Sequence, residues 1–340
     1  MKREARFWKK LSDKKVQCSL CYHGCKIDDN NSGICSVRKN ENGKLNTLIY
    51  GSCSSIAVDP IEKKPLFHFY PGSNVFSLGT IGCNFKCSHC QNYGISAASL
   101  DYSNVREIEP EQVVRLAKQN NCQGVAWTYN EPSIWYEYTF DASKLAKENG
   151  LYTVYVSNGY INEDPLREIS PFLDAINVDV KAFDDGFYKQ VCKARLEPVL
   201  KTCELAKELD IHLEVTYLVI PGYNDSVDEV RQFCGWVVEK LGISTPVHFS
   251  RFHPDYNMTD VSVTPIETLL KIYDVAKESG ILYPYLGNVP RGEYENTICP
   301  ICGSICIGRC GYSVSLNAIR DGKCVKCGAS IPLVNDRHKK

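Results

Sequence analysis

The sequence predicts an α/β fold: a partial (β/α) barrel of the TIM type with a small cysteine-rich, metal-binding lobe at each end. Three observations predict it. Seven β-rich segments alternate with helical ones through the middle of the chain, the 18 cysteines gather into three clusters with a few left over, and 340 residues at 44% hydrophobic can bury one large core plus smaller attachments. The expected boundaries are residues 1–65 for the N-terminal lobe, 66–290 for the barrel and 291–340 for a zinc-ribbon-like C-terminal segment.

Composition narrows the function classes. With 39 basic against 40 acidic residues the net charge is -1, which leaves no overall electrostatic footprint for nucleic acid or an anionic membrane. The opening stretch MKREARFWKKLSDKK lacks a signal peptide's apolar core, and no run of about 18 apolar residues follows, so a cytoplasmic protein is expected. In a reducing compartment cysteines serve as metal ligands or buried thiols more often than as disulfides.

The N-terminal lobe carries Cys18, Cys21, Cys25 and Cys35, spaced C-x2-C-x3-C-x9-C. Four thiols in that pattern suit structural zinc or an auxiliary iron–sulfur cluster, and spacing does not choose between them.

The barrel strands are read at NVFSLGT, GVAWTY, YTVYVS, AINVDV, HLEVTYLVI, VHFSRF and ILYPYLGNV. Helices are read at EPEQVVRLAKQN, SIWYEYTFDASKLAKENG, EPVLKTCELAKELD, SVDEVRQFCGWVVEKLG and TPIETLLKIYDVAKESG. Gly150 and Gly280 stand where C-terminal caps belong, and Ser226 and Thr264 where N-caps belong. Alternation of this kind implies parallel pairing, with the active site at the C-terminal ends of the strands. Those ends are polar: Thr128, Asn130 and Glu131; Ser157 and Asn158; Asp179 and Lys181; His248, Arg251 and His253; and Asn288.

After the first strand comes TIGCNFKCSHCQN, with Cys83, Cys87 and Cys90 spaced C-x3-C-x2-C. A closed site takes four protein ligands, so three thiols leave a position open for a substrate or cosubstrate. Zinc completed by His89 is the alternative. Of the other thiols, Cys53, Cys122, Cys203 and Cys234 read as core, and Cys192 as a loop thiol on the active-site side.

The C-terminal segment carries Cys299, Cys302, Cys324 and Cys327 as C-x2-C-x21-C-x2-C, close to a zinc ribbon. Cys306 and Cys310 offer a rival C-x2-C-x3-C-x3-C cluster.

The three-cysteine loop after a first barrel strand is similar to that of radical S-adenosylmethionine (SAM) enzymes. The resemblance implies a [4Fe-4S] cluster on Cys83, Cys87 and Cys90, with SAM on the fourth iron and reductive cleavage to a 5'-deoxyadenosyl radical that abstracts hydrogen from a substrate. It further implies that Glu131 in TYNEP receives the SAM amine although the family's glycines are missing. Ser157 and Asn158 in SNGY would lie beside the ribose, with Val156 where relatives carry an acid. Asp179 and Lys181 in DVK would hold the methionyl end, as in pyruvate formate-lyase-activating enzymes, and His253 in RFH would contact SAM. The stretches AVDPIEKKPLFHFYPGS, LEPVL, IPGYND, HFSRFHPDYNMTD and GNVPRGEYENTICP resemble the AmmeMemoRadiSam-system radical SAM enzymes over nearly the whole chain. That likeness implies Memo-like and AMMECR-type proteins as pathway partners and a reductant such as flavodoxin or ferredoxin. A glycyl-radical activase and a non-catalytic iron–sulfur or zinc scaffold are the alternatives.

Overall fold

The computed structural model describes residues 1–97, 105–290 and 292–335. The expected boundary at 291 and the last residues of the C-terminal segment, 336–340, lie outside them.

One eight-stranded sheet forms the barrel wall. We label its strands β1 (Ser55–Pro60), β2 (Asn74–Gly79), β3 (Gly124–Trp127), β4 (Tyr152–Ser157), β5 (Ala175–Asp179), β6 (His212–Val219), β7 (Val247–Arg251) and β8 (Pro284–Gly287). They hydrogen-bond in chain order from β1 to β8, every pair parallel except β1 with β2. All seven expected strands are present, and β1 adds an antiparallel edge. The sheet therefore begins at Ser55, inside the segment expected to belong to the N-terminal lobe. Alternation in SIAVDP is too weak to mark it as a barrel strand; its six-residue pairing with β2 supplies the order.

Five helices fall where apolar periodicity puts them: α1 (Pro110–Gln119), α2 (Tyr136–Glu148), α4 (Leu196–Glu208), α5 (Val227–Trp236) and α6 (Ile266–Glu278). A further helix, α3 (Glu163–Ile169), was not expected; Asn162 is its N-cap residue. Gly150 and Gly280 follow the C-caps with φ of +75° and +95°, as their positions predict. Thr264 does not cap α6, because Pro265 takes the cap position. Its hydroxyl instead donates to the Val219 carbonyl and accepts from the Phe252 amide, joining the ends of β6 and β7.

Side chains of alternate residues line the interior in layers. At the lower, N-terminal end Glu214 is fully buried. It accepts from the backbone amides of Phe67 and His68 and meets Nε2 of His212 and His248 at 3.0 and 2.7 Å. Burial opposes its charge, yet the bonds from His212 and His248 hold its carboxyl well below the usual carboxylate range. His68 continues the network, with Nε2 at 2.7 Å from the Tyr285 hydroxyl and Nδ1 at 2.9 Å from the Pro332 carbonyl. Above this floor Thr216 donates to Asn177 at 2.9 Å, and above that layer the barrel opens.

The N-terminal lobe is built from two three-stranded antiparallel sheets, and the C-terminal segment from a three-stranded sheet and a two-stranded hairpin. Arg309 ties that segment to the barrel floor by donating to the carbonyl of Phe67, while its bond to the Thr297 hydroxyl holds it within the segment. No helix among the described residues is long and apolar enough to cross a membrane.

Burial lowers the His68 pKa from 6.5 to about 4, so across that window the unfolded chain binds a proton that the folded chain does not. Stability must then fall as pH drops below 6.5. Between pH 7 and 5.5 the expected loss from this residue is about 1 kcal/mol. Denaturant titration of wild type and His68→Gln at both pH values should show a smaller acid loss in the variant.

Candidate functional site

A cavity of about 540 Å³ lies at the C-terminal ends of the barrel strands. The Cys83–Cys90 loop forms one side of it. Across from the loop stand Thr128 to Glu131 after β3, Ser157 and Asn158 of the β4 end, Asp179 and Lys181 of the β5 end, Thr216 and Leu218 of β6, Ser250 of β7, and Asn288.

The loop is fixed by its neighbours. Asn130 accepts from the Thr80 amide and donates to the Gly82 carbonyl at 2.7 Å, clasping the turn before Cys83. Gly82 has φ +86°, and a Cβ there would lie 2.8 Å from the Cys35 carbonyl oxygen, so glycine is required on both counts. Farther along, the amides of Lys86 and Ser88 donate to the carbonyls of Cys192 and Val191, and Asn92 donates to the Tyr129 carbonyl. Cys192 is thus not on an open loop. It is fully buried in the π-helical turn Tyr188–Cys192, with its thiol against Cys87.

Burial pushes the thiols of Cys83 and Cys90 up from their ordinary value. A bound metal reverses such a shift by stabilising the thiolate directly. His89, 4% exposed, has no hydrogen-bond partner at either ring nitrogen, and burial, with Lys181 nearby, lowers its pKa to about 3. Two orphaned polar atoms at the cavity wall fit a group bound there.

Glu131 is nearly saturated within the chain. It accepts from the Ser133 amide, the Ser157 hydroxyl and the Asn158 amide at 2.8–2.9 Å, tying the end of β3 to that of β4. Burial raises its pKa against these bonds. Asn158 donates to Asn84 at 2.8 Å and reaches the Cys83 sulfur at 3.8 Å. Lys181 meets Asp179 at 3.1 Å; burial disfavours its charge, but the Asp179 carboxylate raises its pKa well above the usual value.

Three expected strand-end residues are elsewhere. His248 shares the interior face of β7 with Ser250 but belongs to the floor network, because it sits near the strand's lower end. Arg251 points to the other face and donates to the Thr264 carbonyl. His253, beyond the strand, is exposed, places its Nδ1 3.4 Å from the Pro254 carbonyl and does not line the cavity. Sequence reasoning missed Asn84, Thr216, Ser250 and the Lys63–Lys64 pair. Asn84 lies inside the quoted cysteine loop and was readable; the others depend on strand parity and on an edge strand that the pattern did not reveal. Lys63 and Lys64 both bind Asp59, at 2.8 and 2.7 Å, and Tyr129 donates to the same carboxylate.

The comparisons fit this geometry. A model of the radical SAM superfamily matches residues 78–234. An uncharacterized protein of Methanocaldococcus jannaschii is 48% identical over 98% of this chain and 99% of its own length. Residues 78–234 carry a radical SAM superfamily domain. A pyruvate formate-lyase-activating enzyme of Clostridium pasteurianum is 23% identical over 58% of this chain and 87% of its own. The radical SAM methyltransferase of Sphaerobacter thermophilus shares the fold, with a TM-score of 0.50 and 16% identity over 64% of this chain and 67% of that one. A radical SAM domain makes the protein an enzyme, sets aside the non-catalytic scaffold, and implies a [4Fe-4S] cluster and SAM. The three loop thiols, the cavity beside them and the unpartnered His89 nitrogens fit both groups.

The two outer cysteine sets differ. Cys299, Cys302, Cys324 and Cys327 bring their sulfurs within 4.8 Å of one another, with Cys299 3.5 Å from Cys327 and Cys302 3.6 Å from Cys324. That matches the edge of about 3.8 Å expected for a tetrahedral four-thiolate ion with bonds near 2.3 Å. Cys306 is buried behind this group and Cys310 is exposed at a strand end, so the rival C-x2-C-x3-C-x3-C set is not the one assembled.

Two outcomes follow. Asn130→Ala leaves the Thr80 amide and Gly82 carbonyl without this partner, and should cost about 2 kcal/mol of stability while lowering iron retained at the loop. Denaturant titration and iron assay check both. Cys302→Ser or chelator treatment should expose residues 297–335 to limited proteolysis while the iron of the barrel stays bound.

Proposed function

We propose that this chain cleaves SAM reductively at a [4Fe-4S] cluster held by Cys83, Cys87 and Cys90, and uses the resulting 5'-deoxyadenosyl radical for hydrogen abstraction. The observation that carries the reading is three half-buried thiols on one backbone-clasped loop facing a cavity, while the neighbouring Cys192 thiol lies against Cys87 and does not line that cavity.

The cluster, when bound, supplies the electron for SAM cleavage. The chain's own groups bind and orient. Lys181, held charged by Asp179, offers a cation for the SAM carboxylate, and Asp179 an acceptor for its amine. Glu131 acts mainly by positioning Ser157 and Asn158, whose polar groups face the cavity beside the loop. His89 has both ring nitrogens available to the bound pair, and its neutral state supplies one donor and one acceptor. His253 contacts SAM only after the exposed segment beyond β7 moves. Structural zinc is proposed for Cys299, Cys302, Cys324 and Cys327.

On the substrate side, the likeness to the Clostridium pasteurianum enzyme supports a second reading, a glycyl-radical activase whose substrate is a partner protein's backbone. The whole-chain motifs instead support a member of the AmmeMemoRadiSam system, with Memo-like or AMMECR-type proteins as partners and a flavodoxin or ferredoxin as reductant. A cytoplasmic site of action accompanies either reading.

Anaerobically reconstituted protein given dithionite and SAM should form 5'-deoxyadenosine and methionine, measured by mass spectrometry. Cys87→Ala should lose the cluster and both products together. Lys181→Ala should keep its iron but weaken SAM binding about tenfold or more, the equivalent of one charge-assisted hydrogen bond. Product formation that survives Cys87→Ala would sink the proposal.

A further inference from the structure

The N-terminal lobe stands directly behind the cysteine loop. Cys18, Cys21, Cys25 and Cys35 line one small cavity, whose wall also includes His23, Arg38 and Asn84. Asn84 is the residue next to Cys83, and its carbonyl lies 2.8 Å from His23 Nε2. On the other side of the same wall, the Cys35 carbonyl presses on Gly82 so closely that no side chain fits between them. One peptide thickness therefore separates the lobe's thiols from the loop that carries Cys83.

The four thiols share a cavity, yet they are absent from the groups of ligand atoms that gather within 4.8 Å, where the C-terminal four are found among the described residues. The contrast is internal to one molecule. Close spacing suits one ion bound by four sulfurs; wider spacing around a common cavity suits a polynuclear centre in which each thiolate holds its own iron. A second observation points to the same ligand. Arg38 is 2% exposed, and while its terminal nitrogens bind Glu137 and the Arg6 carbonyl, its Nε is buried without a partner at the thiol cavity. A buried N–H on the wall of a thiol cavity, on a side chain that neighbours Cys18 and Cys35, finds its acceptor in thiolate or inorganic sulfide. Backbone amides of His23, Ile34 and Val37 bear on the thiols of Cys21, Cys25 and Cys35, the donor pattern that stabilises thiolates around an iron–sulfur centre.

We infer that Cys18, Cys21, Cys25 and Cys35 hold an auxiliary [4Fe-4S] cluster that relays electrons, through the His23–Asn84–Cys83 contact, to the iron held by the barrel loop. The balance is one electron at each stage. A low-potential one-electron protein donor is oxidised, the lobe's cluster passes from the 2+ to the 1+ state and back, and the electron ends on the barrel cluster; no proton or atom is transferred. The relay rests on the cluster proposed above for Cys83, Cys87 and Cys90, whereas the lobe's own cluster does not.

The test uses the full chain, reconstituted anaerobically with iron and sulfide. About eight irons per chain are expected, and about four in the Cys83→Ala/Cys87→Ala/Cys90→Ala variant, which leaves the lobe's ligands untouched. In iron-57 Mössbauer spectra of wild type, SAM should perturb only about half of the iron. After reduction, the paramagnetic resonance of wild type should show magnetic interaction between two centres, lost in the triple variant and in Cys18→Ala/Cys21→Ala. About four irons with two zincs per chain, a SAM response spread over all the iron, or two centres without magnetic interaction would each overturn the inference. Because the first two readings need no variant, misfolding of a mutant lobe does not shield it. SAM cleavage driven by dithionite in Cys18→Ala/Cys21→Ala reports separately on the barrel.

Discussion

The clasp made by the Asn130 side chain on the turn from Thr80 to Gly82 is the interaction on which the rest of the site depends. A loop that offers three sulfurs to one bound group cannot spend those sulfurs on holding itself in place. Its backbone must be fixed from outside, and here the fixing groups come from the end of β3, from the turn that contains Cys192 and from the carbonyl of Tyr129. The outcome is a ligand set whose geometry is set by neighbours, with its chemistry left facing the cavity. Asn84 shows the economy of the arrangement: its side chain bonds Asn158 in the barrel and its carbonyl meets His23 in the lobe.

Charge in the cavity is similarly disciplined. Glu131 spends three acceptor positions on the chain, Asp179 pairs with Lys181, and Lys63 and Lys64 share Asp59. A polar cavity of this kind keeps few uncompensated charges, which suits a zwitterionic occupant better than a strongly charged one. In a low-dielectric site each remaining hydrogen-bonding group counts for more than it would in water.

Much of this was legible in the sequence, for identifiable reasons. The seven parallel strands announced themselves because strands covered on both faces are short apolar runs, and the loop cysteines because their spacing is local. Glu131, Ser157, Asn158, Asp179 and Lys181 were found at strand ends, where parity and position in the chain agree. His248 defeated the same logic: parity points it inward, but depth along the strand decides whether an inward residue meets the cavity or the floor. The role of β1 was hidden because an edge strand with one antiparallel neighbour needs no strong pattern. The spacing of the outer cysteines grouped them into two sets of four but could not say how their sulfurs are arranged; that lies in how far apart the sulfurs stand.

The floor network has a consequence for how the chain comes to exist. His68 reaches the Pro332 carbonyl, and Phe69 pairs with Val334 in an isolated parallel bridge. Residues separated by some 260 positions thus close the bottom of the barrel together. During synthesis all eight strands leave the ribosome before the segment that seals them, so Glu214 and its histidines spend that interval under an unfinished floor. A nascent barrel in this state holds a buried-charge site still open to water, and its final consolidation must wait for Pro332 and Val334 to arrive and dock.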